Sequence, residues 1–361
     1  MQKLNNISVG FLPNSSDFSH PQDRRRFMPF LKELNIKPEI ADFNKHYDVL
    51  YISLSCDLNL WSRYKKHHAS KDTRIIFDLS DNYLSDNTFN SILRSVAHYF
   101  FGRTKTFVLD YRTSIHRMLK DADIVTVGSI EQCEDIMKYH NDVRVVRDVF
   151  VEDIIPETNS SKNKKEDQID ILWEGLSHGI RPIFKRLRRM LVLLKDDSRK
   201  INLHIVSDKC TCLFLGKLFC RPTENVLNTL FKKTNISIIF YEWTKQNINI
   251  AASRCDFALI LIPNKPFMIS KPENKLLLLW SLGLPVLVSD TPSYSRVMQD
   301  SRNESCICES DEDWIKNIKI FSDIKTKRDE NLHNGKEYVN YYLNHDLMIS
   351  FWKSVFFYGK K

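Results

Sequence analysis

Between Ser270 and Tyr294 the chain reads SKPENKLLLLWSLGLPVLVSDTPSY, so that Lys271 and Lys275 bracket Glu273 and Asn274 at the head of a leucine-rich run. Pro272 suits the first turn of a helix, and Gly283 with Pro285 suits its end. The start of a helix exposes unpaired backbone N–H groups and the positive end of the peptide dipole. A negative group is favoured there, and the two lysines add full charges. The implied chemistry is anion binding. Phe257 to Ile262 before this segment and Val286 to Ser289 after it are continuous apolar runs, as expected for strands buried on both faces.

Other groups have comparable chemical potential. Trp173-Glu174-Gly175-Leu176-Ser177-His178-Gly179 runs on to Arg181 and Lys185. Its glycines allow backbone to approach a ligand, and its cations can reach phosphate oxygens. The further arginines Arg186, Arg188 and Arg189 continue a basic helix face that is either solvated or turned to an anionic surface. Trp243, just after an apolar run, suits stacking on a base or a place in the core. In the first half, Asp17 and His20 lie in a polar loop that leads to Asp23 and Arg24 to Arg26. If Asp23 caps the next helix, three arginines occupy its first turn against the dipole, a conflict that an anionic partner would relieve. Asp78 and Asp81 lie at another strand end, where a carboxylate suits proton transfer, a sugar hydrogen bond or an Asx turn.

The elements that must position these residues alternate. Ile7–Leu12, Val49–Leu54, Arg74–Leu79, Ile124–Val127 and Val143–Val146 are strand-like, with helical patterns at Arg24–Leu34 and Glu131–Tyr139. Residues 157–168, ETNSSKNKKEDQ, have no apolar residue and form the expected linker. Strands are then expected at Ile169–Trp173, Ile201–Val206, Ile236–Tyr241, Phe257–Ile262 and Val286–Val288. Helices are expected at Pro182–Leu194, Glu224–Phe231, Asn247–Arg254 and Glu273–Leu282. Such alternation argues for α/β architecture with parallel sheets. A chain of 361 residues accommodates two domains, and its charge of +8 suits a nucleic acid, an anionic membrane or phosphorylated substrates.

Several classes are excluded or disfavoured. Neither Gly-x-Gly-x-x-Gly nor a Walker P-loop occurs among the nine glycines, which argues against dinucleotide and NTPase chemistry. The close cysteine pairs Cys210/Cys212 and Cys306/Cys308 lack metal-site spacing. The opening MQKLNNISVGFLP has no signal pattern, so reduced, mostly buried thiols and a cytoplasmic location are expected. The longest apolar run, Leu276 to Val288, is too short to span a membrane.

The Ser270 to Tyr294 block resembles the donor-binding part of GT-B glycosyltransferases, whose second domain carries a Lys/Ser-Pro-x-Asn-Lys-Leu stretch, then Leu-Gly-x-Pro-Val and Pro-Ser-Tyr. Phe77–Asp81, Asp123–Ser129 and Ile171–Gly175 agree with that architecture. The resemblance implies two Rossmann-like domains with a deep interdomain cleft: 1–156 for the acceptor and 169–333 for the donor, with a terminal helix, 334–361, returning to the first domain. It implies a nucleotide-sugar donor held by Gly175, His178, Arg181, Lys185, Trp243, Ser270, Lys271, Glu273, Asn274, Lys275 and Tyr294. A base from Asp17, His20 or Asp81 would serve the acceptor. It further implies a glycan or lipid-linked acceptor in bacterial polysaccharide or lipopolysaccharide synthesis, and no metal, separate cofactor or nucleic acid. An anionic membrane surface would meet the basic faces at Arg24–Arg26 and Arg186–Arg189. Retaining members carry two glutamates with seven residues between them around this helix, where this chain has Ser270 and Leu278. The stereochemical outcome therefore stays open, as do an epimerase or hydrolase on the same fold and a non-catalytic binding module.

Overall fold

A computed structural model describes residues 7–68, 72–150, 153–155, 167–177, 180–194, 199–214 and 218–357. The chain divides into two compact units. The first comprises Met1–Val149, Lys265–Pro272 and Leu343–Lys361, and the second comprises Phe150–Asn264 and Glu273–Tyr342. The division thus falls at Val149/Phe150 rather than at an expected linker, of which 157–166 lie outside the described residues.

In the first unit, β1 (Val9–Leu12), β2 (Val49–Ser53), β3 (Arg74–Leu79), β4 (Ile124–Val127) and β5 (Val143–Val145) form a parallel sheet in that order. Both faces are covered, because alternate residues of one strand enter different cores. Ile75, Phe77 and Leu79 join one, and Ile76 joins the other. Ile40 adds an isolated parallel bridge to Phe11, whose N–H donates to Glu39 O at 2.8 Å and whose carbonyl accepts from Ala41 N at 2.9 Å. A residue's N–H and C=O point to the same side of a strand, so this bridge lies on the edge of β1 opposite β2. The chain leaves β1 in one direction and returns past it to β2. That reversal is a topological switch point, with its crevice at the carboxyl ends of β1 and β2.

In the second unit, β6 (Gln168–Glu174), β7 (Lys200–Ser207), β10 (Ile236–Glu242), β11 (Phe257–Ile260), β12 (Val286–Ser289) and β13 (Ile307–Cys308) form a parallel sheet in the order β10-β7-β6-β11-β12-β13. Here the reversal lies between β6 and β11. A separate antiparallel hairpin, β8 (Cys210–Phe214) and β9 (Leu218–Pro222), was not expected, and it pairs Cys212 with Cys220 in a disulfide. This corrects the expectation of uniformly reduced thiols: the two cysteines occupy facing positions on adjacent strands. Cys255, Cys306 and Cys308 are buried.

The terminal region is two helices, Lys325–Tyr342 and His345–Phe357, where one element from 334 was expected. The first belongs to the second unit. Asn331 accepts from Trp280 Nε1 at 3.3 Å and Val286 N at 2.8 Å, and a Cβ on Gly335 would stand 2.3 Å from the Trp280 ring. The second belongs to the first unit, where Met348, Ile349, Trp352, Val355 and Phe356 share a core with Phe11, Phe30 and Tyr51.

Two further expectations are corrected. His20, not Asp23, caps the Pro21–Arg26 helix, because Pro21 suits the first turn and the His20 ring accepts from Gln22 N. Arg24 to Arg26 therefore lie in the last turn, where the dipole favours them. Arg24 and Arg26 are buried, so this segment offers no basic face to a membrane. At the other proposed face, Arg186 Nε meets Asp311 at 2.6 Å.

Helix Thr88–Phe100 is held through Ser91, Ser95 and His98. Ser91 Oγ donates to Asp110 at 2.5 Å, Ser95 Oγ donates to the Val108 carbonyl, and His98 meets the Tyr111 ring at 4.7 Å. Burial, with Arg103 and Arg94 nearby, pushes His98 down from 6.5 to about 4. The unfolded chain then binds the extra proton first as pH falls, so this contribution to stability is present above 6.5 and is lost between 6.5 and about 4. Urea midpoints measured across that window should fall less steeply for His98→Asn than for the parent.

Candidate functional site

At the switch point of the second unit, β6 ends in Glu174 and the chain turns at Gly175. Lys275, in the first turn of helix Asn274–Ser281, donates from Nζ to the Glu174 carbonyl at 2.6 Å and lies 3.2 Å from Glu174 Oε2. Trp243, just beyond β10, donates from Nε1 to Glu174 Oε1 at 3.1 Å. Two strand ends and one helix start are thereby tied through Glu174. Gly175 is required by close approach, since a Cβ there would stand 2.8 Å from Trp173 and 3.2 Å from Lys275 Nζ. Ser207 Oγ donates to the Gly175 carbonyl at 2.7 Å and fixes the turn.

Behind this cluster, the buried Glu273 accepts from Arg296 at 3.0 Å at the N-cap of the same helix. Tyr294 is buried, and its hydroxyl is held protonated first by that burial and then by the charges of Glu273 and Glu174. The helix begins at Asn274, so Pro272 is not in its first turn. Instead, Pro272 packs on Gly128, where an added Cβ would stand 3.0 Å from its ring. Ser270 Oγ meets Ser85 Oγ at 3.1 Å, and Lys271 Nζ lies 5.2 Å from the Phe267 ring centroid. Ser270 and Lys271 thus group with the first unit, whereas Glu273, Asn274 and Lys275 group with the second. Arg181 and Lys185 occupy an exposed face of helix Ile180–Leu193, one turn apart. His178 lies outside the described residues.

At the switch point of the first unit, Ser55 Oγ donates to Asn14 Oδ1 at 2.6 Å and joins the loops that follow β2 and β1. Asp23 is fully buried and accepts from Asn14 N at 2.9 Å, Asn14 Nδ2 at 2.9 Å and Ser15 N at 3.1 Å. Burial raises its proton affinity, and these donors oppose the rise. Asp81 follows β3, close enough for its charge to act on His20. Packing around His20 lowers its proton affinity, against the pull of Asp23 and Asp81. Because His20 Nδ1 accepts from Gln22 N at 3.3 Å, the neutral ring carries its proton on Nε2 and presents a donor. Asp17 is exposed and closes an Asx turn, accepting from Ser19 N at 3.1 Å and Ser19 Oγ at 2.8 Å; those bonds lower its proton affinity. Beneath the loop, Arg26 is enclosed by Asp78, Asp148 and the Val146 carbonyl, and Thr126 Oγ1 donates to Asp78 at 2.8 Å.

Among the described residues, no group of three His, Cys, Asp or Glu side chains is placed to hold a metal ion, and no helix is long and apolar enough to cross a membrane. No protein-family model matches the chain, and no curated protein does. Solved structures do. WaaG, a glycosyltransferase involved in lipopolysaccharide biosynthesis, aligns over 97% of this chain and 100% of its own with a TM-score of 0.57 at 14% identity. A glycosyltransferase from Rickettsia africae ESF-5 aligns over 90% of this chain and 85% of its own, with a TM-score of 0.56 at 12% identity. The fold is that of the GT-B glycosyltransferases. TarM shares it with a TM-score of 0.53 at 12% identity over 85% of this chain, which spans only 54% of the TarM chain.

Against the GT-B fold, Glu174, Asn14 and Ser55 are the residues that sequence reasoning left out. Glu174 is the last residue of the strand at which the sheet order reverses. Once β6 is seen as the first strand of the second half, the rule that ligands gather at such ends singles it out. Asn14 and Ser55 carry no comparable signal, because their pairing depends on the order of β1 and β2.

Proposed function

We propose that the chain transfers a sugar from a nucleotide-sugar donor to a hydroxyl of a glycan or lipid-linked glycan acceptor. The observation that carries this reading is the cluster of Glu174, Gly175, Trp243 and Lys275 at the switch point of the second unit, within a GT-B fold. In this reading the base packs against Trp243, and the diphosphate lies along the Gly175 turn with Lys275 beside it. Arg181 and Lys185 supply further positive charge. Lys275 and the backbone N–H groups at the start of its helix offset charge building on the departing phosphate, without a metal. Glu174 accepts from a donor hydroxyl and keeps Lys275 in place.

The first unit binds the acceptor at Asn14, Ser55, His20 and Asp81. Asp81 takes the acceptor proton, while His20 donates from Nε2 to an acceptor oxygen. Asp17 shapes the loop. The likeness to WaaG, a glycosyltransferase involved in lipopolysaccharide biosynthesis, supports a place in polysaccharide or lipopolysaccharide synthesis. TarM has been solved with UDP and alpha-GlcNAc-glycerol, which supports a nucleotide donor and a glycosyl product.

The test is a melting panel with UDP, GDP, CMP, dTDP and ADP, followed by product analysis with the matching nucleotide sugars, with and without a glycan acceptor. One nucleotide at a hundred times its dissociation constant should add about 2.7 kcal/mol of stability, and its sugar should be transferred only when acceptor is present. Conversion without acceptor would identify an epimerase or hydrolase. Binding without any turnover would identify a binding module.

A further inference from the structure

Helix Thr88–Phe100 is built inside out. Its buried residues are Ser91 and Ser95, whereas Phe89 and Phe100 are 70% and 75% exposed. Phe89, Ile92, Leu93, Val96 and Phe100 follow the spacing of one helix face, and all are exposed or only half-buried. Tyr99 of the same helix is exposed too, and the segment that follows adds exposed Phe101, Phe107 and Leu109. Isolated exposed apolar side chains need no explanation, but a contiguous group of large ones marks a contact surface.

Charge distinguishes the occupant. From Thr88 to Leu109 the chain contains no Asp or Glu, and Arg103 and Lys105 are exposed among the aromatics. The flanking acids are already engaged: Asp86 accepts from Arg94 at 3.3 Å, and Asp110 holds Arg112 and Ser91. Arg94 itself is drawn inward over the Tyr83 ring, 3.7 Å from its centroid. In a two-fold contact with a second copy this patch would meet itself, and Arg103 and Lys105 would find no acid of the same stretch opposite them. Aromatic rings interleaved with cations on an amphipathic helix instead match the headgroup boundary of an anionic bilayer.

We propose that the face formed by Phe89, Phe100, Phe101 and Phe107 with Arg103 and Lys105 docks the first unit on an anionic lipid surface. The rings enter the acyl boundary, and the two cations meet lipid phosphates. This docking does not depend on the donor reading.

The test is cosedimentation of the full chain with phosphatidylcholine vesicles and with vesicles containing about one-third phosphatidylglycerol, at low and physiological salt. The parent should bind the anionic vesicles roughly tenfold or more tightly, and added salt should weaken that binding. Phe89→Ser/Phe100→Ser should lower binding to both vesicle types, and Arg103→Gln/Lys105→Gln should remove only the anionic preference. Because these side chains are exposed, circular dichroism melting of both variants should match the parent. A parent that stays in the supernatant, or variants that bind as it does, would overturn the proposal. A parental dimer dissociated by the phenylalanine substitutions would assign the face to a second copy and overturn it equally.

Discussion

Lys275→Ala should weaken nucleoside diphosphate binding roughly 10- to 100-fold, since a hydrogen bond to a charged group contributes about 1.5–3 kcal/mol. Sugar transfer should slow further, by about 10²–10³ in kcat, if Lys275 faces charge that grows as the phosphate leaves. Stability without ligand should change less. Lys275 is partly exposed, and Glu174 keeps its bond from Trp243 Nε1. Titration calorimetry and initial rates separate these effects. A variant with parental affinity and rate would remove Lys275 from the donor site.

The second large effect is on folding. Arg26 and Asp78 are each 1% exposed and are paired in the first unit. Burial opposes the Arg26 charge, but Asp78, Tyr51 and Asp148 outweigh it and hold the guanidinium more firmly protonated than usual. Arg26→Met leaves the buried Asp78 carboxylate without its paired cation, and the expected cost is about 3–5 kcal/mol. Replacing Asp78 as well, in Arg26→Met/Asp78→Leu, should recover much of that loss, because the stranded charge is gone. Urea unfolding of the parent and both variants measures this. A single variant as stable as the parent would mean that the network carries little stability.

Much of the fold is legible in the sequence, because strands buried on both faces leave unbroken apolar runs. Phe257 to Ile260 and Val286 to Ser289 lie where such runs predict. The β8–β9 hairpin is not legible in this way, since Cys210-Thr-Cys212 reads as a close cysteine pair until strand pairing brings Cys212 opposite Cys220. Nor does local pattern show that Lys265–Pro272 leaves its neighbours for the first unit. That choice is made by tertiary packing, as Phe267 stacks on Tyr83 at 5.0 Å and Pro272 meets Gly128.

The site is legible to a lesser degree. Gly175, Trp243 and Lys275 were marked by type and position, and the structure brings them together around Glu174. Asp23 shows how position can mislead. It has the composition of a helix cap, but Pro21 places the helix start at His20 and leaves Asp23 to hold the preceding loop. The exposed phenylalanines of Thr88–Phe100 have ordinary amphipathic spacing. Only burial shows that the serines, rather than the rings, face the protein.

A nucleoside diphosphate is expected at the switch point of the second unit. A crystal structure of the chain with the nucleoside diphosphate that most raises its melting temperature tests this most directly. The diphosphate should lie at the Gly175 turn within hydrogen-bond reach of Lys275 Nζ, with the base against Trp243. A diphosphate seated instead on the Asn14 and Ser55 loops of the first unit would contradict it.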